Sequence, residues 1–168
     1  MQYDKFEDIR LYSMEGNKLG VKGLAASLAK AAKNTLGGRT LDIYLNAQKF
    51  IKKDDESFRL QVIYKGEIEL GVWLNTNGES LVLIVDGNRM GFKLLGEPKS
   101  PDIESDIKNL RYIYSETLFY PITLEQLKII SNAKTVEVKL SGQSQYYQTV
   151  FDGDNFDNLK KFINEYAK

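Results

Sequence analysis

The stretch Ser80–Leu95, SLVLIVDGNRMGFKLL, constrains the fold more than any other part of the chain. Leu81 to Val85 form an unbroken apolar run, and Asp86-Gly87 follows it. Asp-Gly between two strand-like runs demands positive φ at both central residues, which Gly takes freely and Asp tolerates. The second run alternates, with Met90, Phe92 and Leu94 against Gly91 and Lys93. Its first strand is therefore expected to be covered on both faces and its second on one. A glycine loop that cradles phosphate would lead into a helix. This one leads into a strand, so Gly87 is read as turn chemistry.

Other segments repeat the same period. Leu41, Ile43, Leu45 and Ala47 alternate with Asp42, Tyr44 and Asn46 across Thr40–Ile51. Phe58, Leu60, Val62 and Tyr64 alternate likewise after a charged turn at 52–56. Strands are also expected at Tyr3–Met14, Glu67–Leu74, Arg111–Tyr120, Thr135–Leu140 and Gln145–Phe151. Pro121 is expected to end its strand, and Gly96–Leu110 reads as a surface crossing. Thr123-Leu124-Glu125-Gln126 is a capping box that opens a helix, with Ile122 and Leu127 as its staple. Gly153 and Asp154 introduce a last helix with Phe156, Leu159, Phe162, Ile163 and Tyr166 on one face. The sum predicts a mainly β chain with α (α+β). We expect an antiparallel β-sandwich of about eight strands with two to three peripheral helices. At 168 residues it forms a single domain, in which Lys18–Gly38 is a helical insertion.

Between Gly16 and Leu41, a span that includes this insertion, the chain carries Lys18, Lys22, Lys30, Lys33 and Arg39 and no acid. A basic amphipathic helix can lie on an anionic membrane, so Lys22, Lys30 and Lys33 are candidate membrane or partner contacts. The plainer reading is a surface helix, because the stripe lacks the Trp and Phe that anchor interfacial helices.

Two zeros limit the chemistry. Without histidine and cysteine there is no Ser-His-Asp or Cys-His catalysis and no zinc-thiolate site within the chain. The 23 basic and 23 acidic residues balance, so no global field draws nucleic acid, and none is expected as a partner. Asp152, Asp154 and Asp157 form the densest oxygen-ligand cluster and could take calcium. However, Phe156 holds the fifth place of that loop, where an EF-hand needs a ligand, and a helix cap explains the acids as well. Glu67 and Glu69 could serve glycoside cleavage in principle, although same-face carboxylates on a strand are usually solvated. Trp73, Tyr112 and Tyr114 are candidate stacking residues for a sugar or a protein partner. Met1-Gln2-Tyr3-Asp4 starts in polar sequence, which points to a cytoplasmic chain or to a mature exported form.

Several stretches together resemble an uncharacterised bacterial domain type of exported and envelope proteins. They are Tyr3–Asp8, Leu83–Gly87, Ser115-Glu116-Thr117, Leu127–Glu137 and the closing helix. Lys18–Gly38 departs from that pattern. The resemblance implies a β-rich fold and a periplasmic or envelope location, and it brings no activity and no site residues. Together these readings favour a non-catalytic binding or structural domain that meets a protein or cell surface. The alternatives are a carbohydrate-binding or carbohydrate-cleaving module and a peripheral membrane protein.

Overall fold

The computed structural model describes residues 1–4, 8–20, 41–53, 55–67, 74, 76–97, 100–106, 111–143 and 146–167. They form two antiparallel sheets and two helices. The first sheet holds β1 (Gln2–Asp4), β2 (Ile9–Ser13), β3 (Lys18–Leu19), β4 (Leu41–Lys52), β5 (Asp55–Glu67), β8 (Asp102–Asp106) and β9 (Arg111–Ile122). Its order is β1-β2-β4-β5-β9-β8, and β3 also pairs with β4. The second sheet runs β11-β10-β6-β7, from β6 (Leu81–Val85), β7 (Asn88–Phe92), β10 (Val136–Ser141) and β11 (Tyr146–Val150). Helices α1 (Leu124–Asn132) and α2 (Gly153–Tyr166) pack on each other.

One core joins these parts. The first sheet contributes Leu45, Leu60, Val62, Tyr64, Leu118 and Tyr120. The second contributes Leu81, Leu83, Val136, Val138 and Tyr147, and the helices add Leu127, Ile130, Leu159 and Phe162. Two polar links cross it: the Tyr64 and Tyr147 hydroxyls lie 3.1 Å apart, and those of Ser80 and Tyr120 lie 2.8 Å apart. Burial pushes the Tyr64 phenol well above its usual range and the Tyr120 phenol up to about 12, so both stay neutral.

The central hairpin is as the sequence predicts. Asp86 and Gly87 both take positive φ (47° and 85°), and β6 is buried at Leu81, Leu83 and Val85 and half-buried at Val82 and Ile84. Asp86 also holds the α1–β10 connection: its carboxylate accepts from the Thr135 amide at 2.8 Å and the Lys134 amide at 2.9 Å. Leu83–Gly87 and Leu127–Glu137, distant in sequence, thus meet at this carboxylate. The Thr135 amide first, and then that of Lys134, hold the Asp86 carboxyl below its ordinary range. A depressed folded-state pKa gives stability that is present above the unfolded value, near 3.8, and lost as pH falls through the lower folded value. Asp86→Ala should therefore lower stability at neutral pH. It should also flatten the acid limb of a stability–pH curve below about pH 4. An unchanged acid limb in chemical denaturation across that range would refute the linkage.

The capping box stands as expected. Thr123 Oγ1 accepts from the Gln126 amide at 3.1 Å, and Gln126 Oε1 accepts from the Thr123 amide at 3.0 Å. Ile122 and Leu127 are both buried, as a staple requires.

Other expectations are corrected. The described residues hold eleven strands, not about eight. Tyr3–Met14 is two strands, because the chain reverses near Asp8, whose φ is 50°. The expected helical insertion begins as strand: Lys18 and Leu19 pair with Tyr44 and Ile43, and the Lys18 ammonium meets Asp42 at 2.6 Å. The insertion beyond Gly20, with Lys22, Lys30 and Lys33, lies outside the described residues. The charged turn is shorter than expected, since β4 and β5 pair out to Lys52 and Asp55. Gly96–Leu110 contains β8, which pairs with β9 between Arg111 and Ser115. Pro121 does not end β9. It pairs opposite Arg59, beyond the stretch where β8 lies alongside, and a proline is tolerated where one strand side carries no ladder. The strand expected at Glu67–Leu74 falls mostly on residues 68–73, outside the described set, and Leu74 bridges Gly142.

A concave groove as the candidate functional site

The period of two that buries one face of β4, β5 and β9 places a second set of side chains opposite the core. Tyr44, Asn46, Gln48 and Phe50 come from β4, Arg59, Gln61 and Ile63 from β5, and Phe119 from β9. Every one of these is buried or half-buried. A flat sheet would leave that face in open solvent, and the reason this one does not is curvature. Gln2 of β1 and Phe119 of β9 line the same groove, of about 520 Å³. They sit at opposite ends of the run β1-β2-β4-β5-β9, four strand spacings apart. Flat, those spacings would span about 19 Å. The sheet is curled into a half-barrel, and this is its concave face. The second sheet and the helices take the convex face.

Amides pave the floor. Asn46 is 2% exposed and Gln48 is 4% exposed. Asn46 Nδ2 donates to Gln61 Oε1 at 3.4 Å, and Asn46 Oδ1 accepts from the Asn17 backbone amide at 3.1 Å. Gln48 Nε2 donates to Ser13 Oγ at 3.1 Å, and Gln48 Oε1 accepts from Arg59 Nε at 2.7 Å. The groove volume is in the range of small-molecule sites.

Arg59 is the charged group in this floor. Its guanidinium lies between two rings, 4.0 Å from the Phe50 centroid and 3.7 Å from that of Phe119. Both distances are well inside the cation–π range. Burial brings its pKa down to about 10, which still leaves it charged at neutral pH. Among the described residues no carboxylate lies within ion-pair distance of it. Glu15 and Lys65, both exposed, line the rim. Lys65 is six residues from Arg59 along β5, about 20 Å at strand rise.

No family model, no curated protein and no solved structure matches this chain.

Of the residues singled out in the sequence, Tyr112, Tyr114, Asp152, Asp154 and Asp157 do not line this groove. Tyr114 is fully buried, its ring 5.3 Å from that of Tyr64, and offers no stacking surface. Tyr112 is 55% exposed. Trp73 and Glu69 lie outside the described residues. Asp152 is the cap of α2, where its side chain accepts from the Asn155 amide at 3.1 Å; the helix starts at Gly153, ahead of Asp154. Asp154 and Asp157 are exposed on its first turns, where acids favour a helix start. Among the described residues no group of three or more acids is placed to hold a metal ion.

Sequence reading passed over the groove because a row of Tyr, Asn and Gln on a strand looks like a solvated face. The available signal was apolar intrusion on that face: Phe50, Ile63 and Phe119 interrupt the polar row. That pattern marks strands covered on both sides.

Proposed function

We propose that this protein is a non-catalytic binding domain whose ligand site is the concave groove. The observation that carries the reading is the polar floor of the groove, with two nearly fully buried amide side chains and a guanidinium that has no ion-pair partner among the described residues, all at a cavity of ligand size. A face with no role in binding has no need of such groups, and exposed Ser or Thr would serve it as well. The lack of His and Cys supports a role without bond-making chemistry. The two sheets, which share one core, are read as the layers of a sandwich with a curled first layer. Resemblance to exported domains supports an envelope setting, and no helix among the described residues is long and apolar enough to cross a membrane.

The test is backbone-amide NMR of the full chain, titrated with glucose, galactose, free amino acids and octanoate. Binding should give saturable shifts clustered on Asn46, Gln48, Gln61 and Phe119, and the ligand's own spectrum should be unchanged after a day. Conversion of a ligand, or shifts that avoid these four residues, would overturn the reading. A carbohydrate ligand is the second reading. It is favoured by the amide row, since Asn and Gln side chains both donate to and accept from sugar hydroxyls, and the two sugars in the panel decide it.

A further inference from the structure

We propose that the groove takes a small organic acid, with its carboxylate on Arg59 and its apolar body along Leu11, Ile63 and Phe119. This rests on the groove being the ligand site. It adds the chemical class of the ligand and the residue that selects it.

The first argument is the state of the guanidinium. Phe50 and Phe119 close its two faces, and Gln48 Oε1 takes its Nε–H. Its only route to partners is then along the outer edge, where the N–H groups of the two Nη atoms find no acceptor among the described residues. A planar edge of N–H donors fits the two oxygens of a carboxylate side by side. The Gln48 contact and the stacked rings fix its orientation before any ligand arrives, so little rotamer entropy is lost on binding.

The second argument is charge. A partly desolvated cation is costly unless an anion meets it. Among the described residues this chain supplies none: Glu15 lines the same groove yet does not pair with Arg59. One positive charge stands at the floor, because Lys65 is too far along β5 to share a ligand atom. A single charge matches a carboxylate better than a phosphate, which is usually met by several cationic or amide donors.

The third argument is the lining around it. Leu11, Ile63 and Phe119 give the groove an apolar wall. A ligand with a charged head and an apolar body fills both parts, whereas a bare inorganic anion fills one.

The test compares octanoate, octanol and inorganic phosphate on the full chain at fixed ionic strength, followed through the Arg59 Nε–H resonance and the Phe119 amide. Octanoate should bind saturably and move both signals. Octanol should bind roughly tenfold or more weakly, the size expected from losing one charged hydrogen-bonded contact. Phosphate should not displace octanoate. Arg59→Lys should weaken octanoate by a similar factor, since an ammonium cannot present a planar fork. Arg59→Gln should weaken it further, and Glu15→Gln should leave it equal or slightly tighter. Equal binding of octanoate and octanol, displacement by phosphate, or full affinity in Arg59→Lys would overturn the carboxylate assignment while the groove remains a ligand site. Octanoate shifts that avoid the groove, with the other probes binding there, refute the acid alone. Failure of every probe in the wider panel to reach the groove refutes both. The wild-type comparison of octanoate with octanol decides the matter even if a variant does not fold.

Discussion

Leu83→Ala should destabilise the protein by about 2–5 kcal/mol, the range found when a leucine is truncated in a packed core. Leu83 is fully buried at the centre of β6. Its cross-strand partners are Met90 on β7 and Val138 on β10, so neighbours on both sides frame any cavity it leaves. Those neighbours belong to paired backbone and cannot easily collapse inward. A domain of ordinary stability has only about 5–15 kcal/mol to lose. Urea denaturation followed by far-ultraviolet circular dichroism should show a large drop in midpoint with an unchanged slope. Val82→Ala, one residue away on the half-buried face, should cost about 1 kcal/mol or less. A larger loss at Val82 than at Leu83 would mean that β6 presents the other face to the core, because a one-residue slip exchanges every side chain between faces.

That comparison shows why the sequence was informative about some elements and silent about others. Period-two alternation in β4, β5 and β10 is local, and each strand lies close to where the pattern places it. Asp86-Gly87 and Thr123–Gln126 are local as well, since each satisfies its own backbone groups within a few residues. The misread stretches depended on distant partners. Asp8 carries a positive φ without being glycine, so the β1–β2 reversal left no residue signature. Lys18 and Leu19 precede an alanine-rich run, and their strand exists because β4 offers its edge at Ile43 and Tyr44. β8 hides in an acidic, proline-flanked segment, and its strand is read from its pairing with the edge of β9 at Arg111–Ser115.

The groove was illegible for a related reason. Alternation tells which residues share a face, and Tyr44, Asn46, Gln48, Arg59 and Gln61 do share one. Whether that face is open or enclosed depends on curl, which accumulates over five strands. Tyr112 and Tyr114 make the same point in reverse. They share a strand face, yet Tyr114 is buried against Tyr64 while Tyr112 is exposed. Placement along the strand, which decides what lies over each ring, separates them.

Asn17→Ala should cost about 2–6 kcal/mol, because two buried polar groups lose their partners at about 1–3 kcal/mol each. Asn17 is fully buried in the link between β2 and β3. Its Nδ2 donates to the Leu45 carbonyl at 2.7 Å, and its Oδ1 accepts from Asn155 Nδ2 at 2.9 Å and Asn158 Nδ2 at 3.2 Å. One amide therefore ties the edge of β4 to the first turns of α2. Alanine orphans the Leu45 carbonyl and takes an acceptor from both helix amides. Asn155 keeps the Lys18 carbonyl at 3.0 Å, so the helix loses part of its anchorage and not all of it. Asn17→Asp is the sharper probe. It keeps the shape and the acceptor but places a carboxylate oxygen against the Leu45 carbonyl, so it should be at least as damaging as alanine at neutral pH. Protonation of the new carboxyl would restore a donor, so the gap between Asp and Asn should narrow in mild acid. The same network reaches the groove, since the Asn17 backbone amide donates to Asn46 Oδ1. That bond uses backbone and survives both substitutions. Octanoate affinity should accordingly stay within about twofold in whichever variant still folds, the additivity expected of sites without a shared side-chain partner. A large loss of affinity would show that the β2–β3 link positions the groove floor through its side chain as well.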